Sequence, residues 1–424
     1  MEDMEDKIDL LPIGENKKNS ILKVIGVGGG GGNAVNHMFR QGFHDANLVV
    51  CNTDAKALDI SPVPVRVQLG EGLGAGNDPN KGREIAEKDL EKIQSMFNDG
   101  TKMVFITAGM GGGTGTGAAP IVAREAHKMG ILTVGIVTIP FLFEGKPKII
   151  QALRGVESIA KEVDALLVIN NQRLVDLYSD YTLTESFQKA DETLSMAVKS
   201  ISEIISMKGQ VNLDFNDVCM VLRDGGVAIM STGYSEGEGR VTKAIEDALH
   251  SPLLNNNDVY NSRKIILAIS HSHESAIMTE EINEITAFMD KFQDNVITKW
   301  GWREDNSLGN QIKITILASG FNINSITGEK LEPTQKEEKI DPHLEDIYAS
   351  LYGNLRNGRK AHMKPKVFIF ENVADLDNDD LVSDVENSAT STRTIEMLNK
   401  IRRKAKPADE DVKVIGMSVL NDEK

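Results

Sequence analysis

Three glycine-rich windows are the residues whose type and spacing point most directly to chemistry. They cover residues 26–32, 70–76 and 109–117 and hold sixteen of the 37 glycines in the chain. The first and third windows each lie between an apolar run and a stretch with helical character. A glycine-rich turn from a strand into a helix lets backbone amides approach a phosphate closely, and the helix N-terminus adds a positive dipole end. We therefore expect a phosphate chain to bind between these two windows.

The first window alone leaves the class of nucleotide open. It fits G-x-G-x-x-G at Gly26, Gly28 and Gly31, a pattern found in dinucleotide and mononucleotide sites. No Gly-Lys-Ser/Thr follows it, so it is not a Walker A loop. A nicotinamide dehydrogenase needs one such loop, whereas this chain has a second one with hydroxyls at Thr114 and Thr116. An NAD-dependent oxidoreductase stays an alternative, but it leaves the third window unexplained.

Apolar and helical segments alternate along the first half, which predicts the elements that hold these windows. The alternation is typical of an α/β fold with a Rossmann-like, doubly wound parallel sheet. Asp78-Pro79 is a typical helix start, an N-cap followed by proline. The predicted strands are Ile21–Val27, Leu48–Cys51, Met103–Ala108, Ile131–Thr138 and Ala165–Ile169, and the predicted helices include Asn33–Gln41, Ala118–Met129 and Ile149–Lys161.

A long helix is predicted from about Thr184 to Met207, because apolar residues recur there at spacings of three and four. At more than 20 residues it is long enough to run between two domains as a shared central helix. A second, smaller α/β region follows it. Its predicted strands are Val218–Leu222, Lys264–Ser270 and Gln311–Ser319, and its predicted helices are Arg240–His250 and Thr279–Phe292.

Composition excludes several classes of protein. The 424 residues carry 47 Lys and Arg against 63 Asp and Glu, a net charge of −16, which argues against a general nucleic-acid binder. Two cysteines do not make a disulfide framework. The acidic start lacks the features of a signal or transit peptide, and no run of about 18 apolar residues predicts a transmembrane helix. We expect a cytoplasmic protein.

The character of the chain changes after residue 321, where apolar residues become sparse and a disordered tail is predicted. Two short segments in it could dock on a partner. Val367–Phe370 is apolar, and Arg393–Lys404 combines Ile395, Leu398 and Ile401 with bases at its C-terminal end. A short basic amphipathic helix suits a partner groove or an anionic membrane. The alternative for the second segment is a solvated run of charge.

The motifs together resemble the tubulin/FtsZ superfamily of GTPases. The sequence Gly-Gly-Gly-Thr-Gly-Thr-Gly at 111–117 is its signature, and Thr116, where tubulins have Ser, favours the FtsZ family. The segments from Lys23 to Asn33 and from Asn212 to Val218 also match. The resemblance covers about residues 20 to 321. It implies a polymerising GTPase that forms head-to-tail filaments in a cytoplasmic, midcell division ring at the septum.

The resemblance also implies a binding site for GTP or GDP. Gly28 to Asn33 cradle the α- and β-phosphates, and Gly111 to Thr116 hold the β- and γ-phosphates. The loop at Asn52 and Asp54 lies near the ribose and phosphates, and Gly74 to Gly76 sense the γ-phosphate. Glu144 contacts the ribose and Asn171 the guanine. Lys148 stands where the family often has Arg. The implied binding residues are Gly28, Gly29, Gly30, Gly31, Gly32, Asn33, Asn52, Asp54, Gly74, Ala75, Gly76, Gly111, Gly112, Gly113, Thr114, Gly115, Thr116, Glu144, Lys148, Asn171, Phe187 and Asp191.

Two of these residues are implied to select the base. Phe187 stacks on it, and Asp191 accepts hydrogen bonds from guanine N1 and N2. Adenine does not offer both donors to one carboxylate, which gives a physical basis for GTP over ATP. On spacing alone, packing in the core explains Phe187 equally well. For Asp191, an acid on the solvent-facing side of a helix is the more common explanation.

The resemblance assigns catalysis to Asp214 and Asp217, which follow the long helix. In the family this loop enters the nucleotide site of the next subunit, where the two carboxylates position the attacking water. Mg²⁺ is expected to be held through phosphates and water, with no protein ligand. Without the resemblance, both acids would be read as solvent-facing or capping groups.

The predicted organisation follows from these assignments. The tail is expected to bind membrane-tethering division proteins, while nucleic acid is not expected as a partner. A plasmid-type or archaeal relative with another cellular task, and an assembly protein that binds GTP without hydrolysing it, stay as alternatives. The predicted parts are an N-terminal extension (1–20), a GTP-binding domain (21–183), a central helix (184–207), a C-terminal GTPase-activating domain (208–321), a disordered linker (322–392) and a partner-binding segment (393–424).

Overall fold

The computed structural model describes residues 20–177, 180–206, 209–250, 259–292 and 296–321. The predictions for residues 1–19 and for the tail from residue 322, including both candidate docking segments, lie outside the described residues.

Ten strands and eleven α-helices occur in the described part of the chain. The strands are β1 (Leu22–Val27), β2 (Asn47–Asn52), β3 (Val65–Gln68), β4 (Met103–Gly109), β5 (Leu132–Ile139), β6 (Ala165–Asn170), β7 (Gly226–Ser235), β8 (Lys264–His271), β9 (Ile297–Glu304) and β10 (Ile312–Phe321). The helices are α1 (Gly28–Arg40), α2 (Ala55–Asp59), α3 (Pro79–Lys88), α4 (Leu90–Ser95), α5 (Gly113–Lys128), α6 (Lys146–Ala160), α7 (Asn171–Leu177), α8 (Leu183–Ser206), α9 (Phe215–Leu222), α10 (Arg240–Leu249) and α11 (Glu281–Met289).

The strands form one sheet in the order β3-β2-β1-β4-β5-β6-β7-β10-β8-β9. The first six strands pair in parallel, which confirms the predicted Rossmann-like α/β class. The strand order reverses between β1 and β4, and ligands of such sheets bind beyond the carboxyl ends of the strands at that point. The first and third glycine windows follow β1 and β4, so the topology places them side by side.

The second half of the chain continues this sheet. β6 pairs with β7 through Ala165 opposite Gly226 and Leu166 opposite Val227, and β10 then lies antiparallel between β7 and β8. One hydrophobic core cluster likewise combines residues of both halves, such as Val24 and Leu317. The domain boundaries drawn from the sequence therefore stay a prediction.

Helix α8 is the long helix that the apolar spacing predicts. Leu194, Val198 and Ile201 on its inner face are at most 2% exposed and belong to the same core as the sheet. The helix ends at Ser206, and the predicted last residue, Met207, lies outside the described part. Its length makes α8 a rigid link between the nucleotide edge of the sheet and the Asp214 loop.

The prediction that the first and third glycine windows are loops was wrong, because most of their residues are helical. Helix α1 begins at Gly28 and α5 at Gly113, each five residues earlier than predicted. Tight packing explains why glycine is used there despite its low helix propensity. A Cβ at Gly31 would lie 2.1 Å from the Thr107 oxygen, and one at Gly117 would lie 2.1 Å from the Pro79 oxygen.

The predicted strand at Val218–Leu222 was also wrong, since these residues form most of helix α9. Asp214 caps that helix, because its Oδ1 accepts from the Asp217 amide at 2.9 Å while the Asp217 Oδ2 accepts from the Asp214 amide at 3.1 Å. This reciprocal pair of capping bonds favours a helix, and it overrides the strand preference of a short apolar run.

Neighbouring glycines of α1 provide a test of the packing argument. Gly31→Ala is expected to destabilise the nucleotide-free protein by about 1–3 kcal/mol, because the new methyl group meets a backbone oxygen. Gly32→Ala is its matched control, since nothing lies within 4 Å of a Cβ there, and alanine is expected to leave stability unchanged or to raise it by up to about 1 kcal/mol. Thermal unfolding midpoints measure both, and equal midpoints would contradict the packing argument.

Candidate nucleotide site

A cavity of about 460 Å³ opens at the edge of the sheet where β1, β4 and β5 end. Helix α8 forms its opposite wall. Twelve of the residues implied by the sequence lie in its lining, together with six that the sequence did not single out. The lining residues are Gly29, Gly30, Asn33, Gly109, Met110, Gly112, Gly113, Thr114, Gly115, Thr138, Pro140, Glu144, Lys148, Asn171, Phe187, Ala190, Asp191 and Leu194.

Two helix N-termini meet at one side of this cavity. A Cβ at Gly28, where φ is +73°, would lie 2.8 Å from the Gly115 nitrogen, and a Cβ at Gly30 would lie 3.1 Å from the Gly109 Cα. A Cβ at Gly29 would contact nothing. The first amides of a helix have no intrahelical acceptor, so α1 and α5 together present a concave set of N–H donors. Such a surface suits the oxygens of a phosphate chain.

The two threonines of the third window have different surroundings. Thr114 lines the cavity, and its hydroxyl lies 2.7 Å from the Thr53 hydroxyl. Thr116 is buried and its hydroxyl accepts from the Gly111 amide at 2.8 Å. Its hydroxyl therefore stabilises the loop and does not face the cavity.

The second glycine window and the Asn52 loop support the cavity from outside. Asp54 Oδ1 accepts from the Lys56 amide at 3.0 Å and thereby caps α2, while the Gly74 amide donates to the Thr53 oxygen at 2.8 Å. The implied residues that do not line the cavity are Gly28, Gly31, Gly32, Asn52, Asp54, Gly74, Ala75, Gly76, Gly111 and Thr116.

Glu144 and Lys148 face each other on one wall. Lys148 Nζ lies 2.6 Å from Glu144 Oε2, and Glu144 Oε1 accepts from the Phe141 amide at 2.9 Å. Both oxygens of this carboxylate thus have partners within the protein. The ion pair keeps the Lys148 ammonium group at the cavity wall, although lysine lacks the bidentate geometry of arginine.

The wall formed by α7 and α8 suits an aromatic base. Phe187 is 43% exposed and meets the buried Phe141 ring edge-on at 4.9 Å between centroids, so it is not a core residue. Asn171 is buried, and its Oδ1 has no hydrogen-bond partner among the described residues. An unpaired buried acceptor is unfavourable unless a ligand donor meets it, which is what the N–H groups of guanine offer.

Asp191 lies beside these two residues in an electrostatically unusual position. Burial raises the pKa of its carboxyl to about 7, although the charge of Arg40 opposes the shift. A carboxylate that is desolvated in this way gains strongly from two hydrogen-bond donors. The N1 and N2 hydrogens of guanine provide such a pair.

General rules could have found the cavity residues that the sequence analysis missed. Met110, Thr138 and Pro140 follow or end β4 and β5, at the carboxyl edge where ligands of parallel sheets bind. Ala190 and Leu194 lie three positions from Phe187 and Asp191 on α8, so helical periodicity places them on the same face.

Comparisons with known proteins agree with this geometry. The family model described as Tubulin/FtsZ family, GTPase domain, matches residues 21–179, and the FtsZ family C-terminal domain matches residues 226–322. A further model, FtsZ, C-terminal, matches residues 362–408. The cell division protein FtsZ of Porphyromonas gingivalis is 45% identical over 417 residues, which cover 94% of this chain and 91% of that protein.

The chain belongs to the FtsZ family. It is a cell-division GTPase of the tubulin/FtsZ type, and GTP is its substrate. The structure of an empty FtsZ dimer from M. jannaschii matches with a TM-score of 0.65 at 34% identity, covering 75% of this chain and 95% of that one. CetZ2 from Haloferax volcanii, solved as a GTPgS-bound protofilament, matches with a TM-score of 0.63 at 20% identity, covering 79% of this chain and 99% of that one, and supports the fold alone.

The described part of the chain contains no group of three or more His, Cys, Asp or Glu side chains that could hold a metal ion. None of its helices is both long and apolar enough to cross a bilayer.

The environment of Asp191 predicts that the protein binds guanine nucleotide more weakly in acid. A carboxyl with a pKa of about 7 takes up a proton as the pH falls through 7, and the protonated form no longer accepts both guanine donors. Affinity for GDP, measured by isothermal titration, is expected to fall about tenfold from pH 8 to pH 6.

Asp191→Asn is the matched variant, since it keeps the size of the side chain but does not titrate. It is expected to bind GDP more weakly and to show only the pH dependence of the nucleotide itself. The same slope in both proteins would contradict the role of Asp191.

Proposed function

We propose that the protein assembles head-to-tail into filaments in which each GTP is hydrolysed between two subunits. These filaments form the cytoplasmic division ring at midcell. The separation between the nucleotide cavity and the Asp214/Asp217 loop carries the proposal.

The cavity is suited to a nucleotide, but neither acid in its lining is assigned to the reacting water. Glu144 is assigned to the ribose and Asp191 to the base. Asp214 and Asp217 do not line the cavity. Asp191 lies in the first half of α8 (Leu183–Ser206) and the Asp214 loop follows its end, so roughly 20 Å of helix lies between them. The loop is therefore better placed to serve another subunit than its own.

A head-to-tail contact brings the two halves together. It is heterologous, because the nucleotide face of one subunit meets the opposite face of the next, and such contacts extend into open filaments. Filament formation then completes the active site, which makes turnover depend on assembly.

Hydrolysis in this arrangement needs positioning more than covalent help. Asp214 and Asp217 accept hydrogen bonds from a water and direct its oxygen at the γ-phosphorus. The bond to that oxygen forms while the bond to the β,γ-bridging oxygen breaks, so GDP leaves with the bridging oxygen and the proton of the water passes to the released phosphate. The N–H groups of α1 and α5 and the Thr114 hydroxyl stabilise the charge on the phosphate oxygens.

Mg²⁺ is proposed to enter with the nucleotide. The donors at the phosphate side of the cavity are backbone amides and a hydroxyl, which suit phosphate and not a cation. Phosphate oxygens and water would then hold the ion, which neutralises charge on the phosphates when bound.

The tail is proposed as the tether to the membrane. The FtsZ C-terminal family model spans residues 362–408 and so includes both Val367–Phe370 and Arg393–Lys404. Either segment could bind a membrane-tethering division protein, and the basic one could also contact anionic lipid.

Mixing two inactive variants tests the shared active site. Asp217→Ala is expected to bind GTP normally and to lower turnover by orders of magnitude, while Asp191→Ala loses nucleotide binding. In filaments of an equal mixture, about a quarter of the junctions place the intact cavity of an Asp217→Ala subunit against the intact loop of an Asp191→Ala subunit, since the two faces of a junction come from different subunits. Phosphate release above the sum of the separate variants is expected.

Sedimentation with GTP provides the control, because it measures how much of each variant assembles. If Asp217→Ala hydrolyses GTP at the wild-type rate in filaments, catalysis by the neighbouring loop is excluded. If mixing restores nothing although both variants co-sediment, each subunit must complete its own site.

Truncation tests the tether. Removing residues 390–424 is expected to spare GTP turnover and assembly, and to abolish recruitment to the membrane in cells only if Arg393–Lys404 is the docking segment. Separate deletions of 367–370 and 393–404, each followed by imaging of a tagged copy, identify the docking segment. Lost GTPase activity in the 390–424 truncation would contradict the tether.

A further inference from the structure

Strand β9 lies at one edge of the sheet. One face of this strand contacts the segment that runs from the end of α8 to the start of α9. Side chains alternate along a strand, so Lys299, Gly301 and Arg303 share this face. Each of the three meets a successive part of the segment that carries Asp214 and Asp217.

The first two contacts hold the segment against the strand. Arg303 Nη2 lies 3.1 Å from Glu203 Oε2 near the end of α8. A Cβ at Gly301 would lie 2.7 Å from the Val211 oxygen, and that oxygen accepts from the Trp302 amide at 3.2 Å. Only a glycine at 301 allows this close approach of the two backbones.

The third contact reaches Asp217 itself. Lys299 Nζ lies 3.0 Å from Asp217 Oδ1, while Asp217 Oδ2 accepts from the Asp214 amide at 3.1 Å. Each oxygen of the carboxylate therefore has a separate partner, one on β9 and one on its own turn. Two such partners fix both the position and the rotation of the carboxylate plane.

The electrostatics agree with this geometry. Partial burial by itself would raise the pKa of Asp217, but the Asp214 amide and the Lys299 ammonium outweigh it, so the pKa lies below its usual range. The charged groups with the largest effect on this carboxyl are Lys299 on β9 and Asp214 on its own turn.

We propose that Lys299 is a positioning residue, which fixes the Asp217 carboxylate in the orientation that meets the attacking water of the neighbouring subunit. This inference rests on the proposed role of Asp217. The ammonium group acts through Asp217 and does not itself touch the nucleotide of its own subunit, since Lys299 does not line that cavity.

The ion pair can be removed without unfolding the protein. The Lys299 side chain is 46% exposed, and pairs with this much exposure contribute little to stability. Lys128 offers a matched control, because its side chain is 60% exposed and its Nζ lies 2.9 Å from Glu125. Both lysines can be changed to methionine, which keeps the length of the side chain and removes the charge.

The experiment measures steady-state GTP turnover of the full-length chain in filaments, GDP affinity and sedimentation for Lys299→Met, Lys299→Arg and Lys128→Met. Lys299→Met is expected to lower kcat about 5- to 50-fold, because small errors in the placement of a reacting group have large effects on rate. Its GDP affinity and sedimented fraction are expected to stay at wild-type values. Lys299→Arg, which keeps the charge, should recover most of kcat, and Lys128→Met should match the wild type.

The pH profile separates positioning from a structural effect. Without the cation the pKa of Asp217 rises, so the acid limb of kcat is expected to move to higher pH in Lys299→Met alone. Wild-type kcat with an unshifted limb would overturn the inference, and so would a loss of turnover that parallels a loss of sedimentation. Asp217→Ala in the same assay distinguishes the catalytic role of Asp217 from the positioning role of Lys299. If Asp217→Ala is inactive while Lys299→Met has normal turnover, only the role of Lys299 is contradicted.

Discussion

The close approach of α1 and α5 at the carboxyl edge of the sheet is the constraint on which the rest of the site depends. A Cβ at Gly28 would lie 2.8 Å from the Gly115 nitrogen of α5, and one at Gly30 would lie 3.1 Å from the Gly109 Cα at the end of β4, so side chains there would push the start of α1 away from α5 and β4. The free amides of the two helix N-termini then face one cavity. A single larger residue at these contacts would separate the helices and remove the phosphate-binding surface, which explains why glycine is used where helix propensity argues against it.

The continuous sheet and α8 connect this edge to the second half of the molecule. Because β7 pairs directly with β6 and α8 packs into the common core, the cavity and the Asp214 loop belong to one rigid arrangement. A rigid helix of this length keeps the loop away from the cavity of its own subunit. In the proposed filament, the same rigidity would present the loop to the next subunit in a fixed orientation.

Strand β9 adds a second level of organisation. The Asp214/Asp217 turn is held by its own capping bonds. It is also held by the ion pair with Lys299 on β9, a strand that is distant in the sequence. The candidate binding surface and the proposed catalytic turn thus have different physical bases. Backbone amides of helix termini line the phosphate side of the cavity, whereas side-chain charge holds the Asp217 carboxylate in place.

Sequence motifs and the periodicity of apolar residues determined most of the fold class and of the candidate site. The glycine spacing at 26–32 and 109–117 predicted the phosphate site, the alternation of elements predicted the parallel sheet, and the apolar spacing from 184 predicted α8. These signals are local, so one sequence carries them. Tertiary structure decided where α1 and α5 begin, because the packing of Gly31 and Gly117 is with residues far along the chain. It also decided that Asp191 is desolvated and that Lys299 meets Asp217, since burial and contacts across the sheet depend on which distant segments become neighbours.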